Sequence, residues 1–160
     1  MSDENQLFTI LMVDDDPDDR LLFKEACEEV RLRNPLDFLE NGEQLVDYLK
    51  RRGNYADREG APFPGIILLD LNMPLKDGRE ALEEIKADAE LRHIPIIVLT
   101  TSKDEDDILS SYGLGASSYI VKPISLDRLM RVVNSIGEYW VQIVEVPTIE
   151  GQADNGDEDI

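Results

Sequence analysis

Cysteine is almost absent from this chain. Cys27 stands alone, so no internal disulfide can staple the fold, and a reducing cytoplasm is the compartment that fits. Its place among apolar residues at helical spacing predicts a packed thiol rather than a reactive one. Histidine is as scarce: His93 precedes an apolar run and reads as a loop residue. Aromatics make up 6% of residues and apolar residues 42%, enough for a core, yet no run approaches the ~20 apolar residues of a spanning helix. The opening MSDENQ lacks the basic start and apolar stretch of a secretory signal. Basic residues number 16 against 35 acidic ones, a formal charge of −19. A surface so acidic repels phosphate backbones and argues against nucleic-acid binding. Part of the excess sits in Asp154, Asp157, Glu158 and Asp159 near the end. The remainder is spread along the chain and fits a halophilic source, a basic partner or plain solubility.

The length suits one domain with an extension. The expected division is a flexible start over 1–6, a domain over 7–138, an apolar arm over 139–148 and an acidic disordered tail over 149–160. Five apolar runs predict strands: Phe8 to Val13, a weaker Leu36 to Leu39, Ile66 to Leu71, Ile96 to Leu99, and Tyr119 to Val121. Three of them are nearly continuously apolar, as parallel strands covered on both faces require. Five stretches with helical spacing alternate with them. They centre on Leu22, Ala26 and Val30; on Leu45 and Leu49; on Ala81, Leu82 and Ile85; on Ile108 and Leu109; and on Leu126, Leu129, Val133 and Ile136, the last with Ser125 as N-cap. Such alternation calls for an α/β fold, a doubly wound five-stranded parallel sheet of flavodoxin-like order 2-1-3-4-5. Between Arg51 and Pro64, Gly53, Gly60, Pro62 and Pro64 predict an extended surface loop.

Sites in such folds gather at the carboxyl ends of strands. There the sequence has Asp14, Asp15 and Asp16 after strand 1, Asp70 and Asn72 after strand 3, Thr100 to Ser102 after strand 4, and Lys122 after strand 5. Crowded carboxylates repel one another unless a proton or cation intervenes, and an oxygen-only donor set favours a hard ion such as Mg²⁺. A lysine and a threonine opposite would hold the oxygens of an incoming phosphoryl group, with Asp70 placed as nucleophile. Each piece has a plainer reading. An Asp triplet before Pro17 can cap a helix, Thr100 can be a β-former, Lys122 a solvated charge, and Asp70 a turn cap. Coincidence at four strand ends is less economical than one site, although Asp16 is better explained as a cap.

At these residues the chain resembles the receiver domains of two-component signalling. The motifs are ILMVDDDP, IILLDLNMPLKDG, IIVLTTS and GASSYIVKP. Thr100 follows Asp70 by 30 residues and Lys122 follows Thr100 by 22, intervals typical of receivers. The likeness runs from about Leu7 to Gly137. It implies Asp70 as phosphoacceptor, with Thr100 and Lys122 on the phosphoryl oxygens. Asp15, Asp70 and the backbone carbonyl of Asn72 would bind Mg²⁺, with Asp14 acting in the outer shell. Tyr119 would be the aromatic whose rotamer follows Thr100, although a half-buried strand residue also fits it.

A finer likeness, to the regulators of bacterial and cyanobacterial phytochromes, rests on LKRRGNYADREGAPFPGIILLDLNMPLKDGREALEEIK, LTTSKDEDDILSSYGLG and EYWVQIVEVP. It implies a phytochrome-type sensor histidine kinase as donor. The apolar ending, with Tyr139, Trp140, Val141 and Ile143, either packs on its own domain or joins two copies; family resemblance favours a homodimer. No DNA-binding or second catalytic unit follows, so the expected output is contact with an effector, or relay of the phosphoryl group to a downstream phosphotransfer protein. The protein would catalyse only its own phosphorylation and dephosphorylation. A phosphatase of related fold would need an added acid–base group, and a degenerate scaffold would not need Asp14, Asp15, Asp70, Thr100 and Lys122 together.

Overall fold

The protein is seen here as a computed structural model that describes residues 7–73, 78–100, 113, 115–122 and 125–148, with side chains of the last helix through Glu138, Gly137 excepted. Its contacts group into two units. One runs through Leu22 and resumes over Arg33–Ile124; the other joins Phe23–Leu32 to the chain from Ser125 onward.

The first unit holds a five-stranded, wholly parallel sheet of β1 (Ile10–Val13), β2 (Leu36–Leu39), β3 (Ile66–Asp70), β4 (Ile96–Thr100) and β5 (Ser118–Val121), ordered β2-β1-β3-β4-β5. This is the predicted order. Every residue of β1 and β3 is buried, while the edge strands β2 and β5 are only partly so. Continuous burial explains why the inner strands are uniformly apolar and the edges weaker in signal. The crossover helices are α1 (Pro17–Glu29), which passes from this unit into the other, α2 (Gly42–Lys50) and α3 (Gly78–Ala87). Asp16 caps α1 by accepting a hydrogen bond from the Asp18 amide at 2.9 Å, and Asn41 caps α2 through the Gln44 amide at 2.8 Å. The helix expected around Ile108 and Leu109 lies outside the described residues.

The segment 51–64 differs from its expected form. Gly53–Arg58 is a 3₁₀ helix, and Tyr55 and Phe63 pack against the core. Two cations sit over aromatic faces, Arg58 4.0 Å from the Tyr48 ring and Arg51 4.3 Å from Phe63. Tyr48 also donates a 2.6 Å hydrogen bond to Asp37. Glycine and proline signalled a turn-rich course here, but two well-spaced aromatics suffice to anchor it.

In the second unit, Phe23, Ala26 and Cys27 are the buried face of α1's second half. Helix α4 (Leu126–Thr148) buries Leu129, Val133 and Ile136, and Ser125 accepts from the Arg128 amide at 3.1 Å. Burial, then the nearby Glu28 charge, pushes the Cys27 thiol up to about 12, which leaves it protonated and inert. Helix α4 runs on through 139–148. Among the described residues, no helix is long and apolar enough to cross a membrane.

Candidate functional site

A parallel sheet brings every strand's carboxyl end to one edge. The register pairs Val13 with Leu69, Asp70 with Leu99, and Thr100 with Val121. Asp14, one step beyond Val13, therefore adjoins Asp70, and Lys122, one step beyond Val121, adjoins Thr100. The Lys122 amide donates to the Thr100 carbonyl at 2.7 Å, and the Asp14 amide to Leu39 at 3.0 Å. Residues far apart in sequence thus share one hollow because strand ends do.

Asp14 and Asp70 are 0% and 2% exposed, and Thr100 is buried as well, whereas Asp15 and Asn72 are exposed. Asp14 Oδ1 accepts from the Asp16 amide at 2.9 Å, and Asp70 Oδ1 from the Asn72 amide at 3.0 Å. The other oxygen of each carboxylate faces the Lys122 ammonium, at 2.9 Å for Asp14 and 3.3 Å for Asp70. Tyr119 on β5 is half-buried against the core. Ser102 and Pro123 lie outside the described residues, as do the side chains of Tyr139, Trp140, Val141 and Ile143.

Burial pushes the Asp14 carboxyl up to about 7, against the opposing pull of the Asp16 amide and Lys122. Asp70 is raised too, first by burial and further by the neighbouring Asp15 charge. Burial works against the Lys122 ammonium, but Asp19, Asp14 and Asp70 more than offset it and raise its pKa. Asp14, Asp70 and Asp19 share one ammonium while Asp15 stands exposed beside them, which leaves surplus negative charge in a poorly hydrated place. One carboxylate oxygen each from Asp14, Asp15 and Asp70 lies within 4.8 Å of the others. The set is all oxygen and partly open to water, which fits a hard divalent cation.

Three participants had no sequence signal strong enough to single them out. Asp19, in the first turn of α1, reaches Lys122 at 2.7 Å. Arg20 donates to the Asp14 carbonyl at 2.6 Å. Gly78 begins α3 directly on the Asp70–Leu71 backbone, and its amide donates to the Leu71 carbonyl at 3.0 Å. Alternation in charge or apolarity does not reveal such contacts, since each depends on which element crosses the strand ends.

Residues 10–134 match the response regulator receiver domain. The response regulator Rcp1 of Synechocystis sp. is 40% identical over 148 residues, which is 92% of this chain and 99% of that protein. The crystal structure of the phosphorylated cyanobacterial phytochrome response regulator RcpA is similar at a TM-score of 0.75 and 40% identity, covering 86% of this chain and 96% of that one. The Mn²⁺-bound form of Rcp1 gives 0.73 at 39% identity, covering 84% and 95%.

Proposed function

Because the chain belongs to the response regulator receiver domain family, we propose that it accepts a phosphoryl group from a sensor histidine kinase onto Asp70 and signals through the change of shape that follows. The observation that carries this reading is a buried carboxylate at the end of β3 with an ammonium 3.3 Å from its oxygen. One Asp70 oxygen forms the new P–O bond as the donor's P–N bond breaks, and the bonding pair returns to the imidazole nitrogen. Lys122 and Thr100 take the phosphoryl oxygens, and Tyr119 changes rotamer with Thr100. Positioning and charge neutralisation do most of the work, since such transfer asks little other chemistry of the protein.

Asp15, Asp70 and the Asn72 carbonyl would hold Mg²⁺, with Asp14 in the outer shell. The ion supplies positive charge against the oxygens of the transferring group. The Mn²⁺-bound form of Rcp1 supports a divalent ion here, and RcpA, a phytochrome response regulator, supports a phytochrome-type kinase as donor. The protein works in the cytoplasm and catalyses only its own phosphorylation and dephosphorylation. Intact mass after incubation with acetyl phosphate and Mg²⁺ tests this. Wild type should gain one phosphoryl group, while Asp70→Asn, and wild type in chelator, should gain none. A wild type that gains nothing, or an Asp70→Asn variant that gains as much, overturns the assignment.

The apolar segment with Tyr139, Trp140, Val141 and Ile143 in α4 is the proposed seat of a homodimer, since tryptophan and tyrosine are enriched among the residues that anchor partner contacts. In sedimentation velocity the full chain should run as a dimer with or without phosphorylation, and Trp140→Glu should run as a monomer. A dimer unaffected by that charge removes the segment from the interface.

A further inference from the structure

An ammonium has three N–H donors, and that of Lys122 has three carboxylates in reach. Asp19 Oδ2 lies at 2.7 Å, Asp14 Oδ2 at 2.9 Å and Asp70 Oδ2 at 3.3 Å. The nearest is therefore not at a strand end but on the first turn of α1, just past the Asp16 cap. With three acceptors engaged, Lys122 has no donor to spare. Once Asp70 bears a phosphoryl group, the charge that its carboxylate carried passes to oxygens farther out, and the ammonium has to follow them away from its other partners.

Asp14 is a poor candidate to let go. It is wholly buried and would be left as an uncompensated charge. The Asp19 side chain keeps 20% of its exposure, so water can replace the lysine there at little cost. The Asp70 contact passes to the phosphoryl oxygens, so of the two remaining pairs the one that loosens is Asp19–Lys122.

We propose that Asp19 is a positioning residue that competes with the phosphoryl group for Lys122, drawing the ammonium toward α1 until transfer calls it to Asp70. The inference rests on the reading of Asp70 as phosphoacceptor and adds to it a residue that sets the rate. Asp19 touches neither the donor nor the reacting atoms. Its carboxylate raises the barrier because its grip on Lys122 has to loosen in the transition state.

The test is the initial rate of phosphorylation of the full chain by acetyl phosphate at saturating Mg²⁺, read by intact mass. Asp19→Asn keeps the shape and removes the charge, and should react about three- to tenfold faster, the scale of a partly exposed ion pair. Asp19→Glu, which restores a carboxylate, should return toward the wild-type rate. Asp18→Asn removes an equal charge from the same turn, where the residue is exposed, and should leave the rate unchanged. Equal acceleration by Asp18→Asn and Asp19→Asn would mean a general field effect and overturn the proposal, as would an Asp19→Asn rate equal to or below wild type. A wild type that takes up no phosphoryl group sinks the Asp70 reading and this inference with it; a wild type labelled on Asp70 with an indifferent Asp19 sinks this inference alone.

Discussion

Replacing Lys122 with methionine lowers the stability of the metal-free protein by about 3–5 kcal/mol at pH 8, the scale on which an unpaired buried charge is felt. The lysine side chain is 10% exposed and its partner Asp14 is 0% exposed, so solvent cannot take over its role there. The loss is pH-dependent, and its sign follows from the carboxyls. Asp14, raised by burial to about 7, and Asp70, raised by the same cause, both bind protons more tightly folded than unfolded. Each then stabilises the fold fully below its unfolded pKa near 3.8 and loses that contribution as pH rises through the folded value. Removing Lys122 raises the folded values further. The penalty of Lys122→Met is thus greatest above neutrality and shrinks toward pH 5, where Asp14 holds its proton. Urea unfolding in chelator at pH 5 and pH 8 measures both ends. Adding Asp14→Asn to Lys122→Met should restore most of the loss at pH 8. A penalty equal at the two pH values would show that Lys122 acts by packing rather than by charge.

The second large effect comes from a glycine. A Cβ at Gly78 would stand 2.4 Å from the Asp70 carbonyl oxygen and 2.6 Å from Leu71 Cα. Both are backbone atoms, so no side chain can swing aside, and the start of α3 and the end of β3 have to separate. Overpacking of this sort costs about 1–3 kcal/mol. Because the displaced atoms belong to Asp70 itself, a shift on the order of 1 Å should slow phosphorylation about 100-fold. Thermal melts and the acetyl phosphate rate of Gly78→Ala measure the two consequences. A folded variant that reacts at the wild-type rate would show that α3 can retreat without moving Asp70.

Much of this architecture is written in local pattern. The runs ILMV, IILL and IIVL are apolar at every position, and only a strand covered on both faces needs that. Strand limits moved by a residue or two: β1 starts at Ile10 rather than Phe8, β3 ends on Asp70, and β4 takes in Thr100. Apolarity marks burial, whereas strand limits follow backbone hydrogen bonds, and the two need not stop together. The segment 51–64 lies at the surface as its composition predicts, but its 3₁₀ turn and its anchors are not legible there for a related reason. Its glycines and prolines describe the path of the chain, but the hold of Tyr55 and Phe63 on the core depends on what lies beneath them. Asp16 was legible as a cap because capping is local chemistry.

By itself the sequence determined the element order, the apolar faces and the set of groups able to meet at strand ends: Asp14, Asp15, Asp70, Thr100 and Lys122. That much follows from periodicity and from the rule that parallel strands end on one edge. Tertiary structure alone decided which of them are buried, which oxygen faces the ammonium, and that Asp19, Arg20 and Gly78 join them. Those outcomes turn on fractions of an ångström and on the access of water, and both arise only when the first turns of α1 and α3 meet the strand ends. Charge in a low-dielectric hollow acts far more strongly than the same charge in solvent, so the chemistry of this site belongs to the fold as much as to its residues.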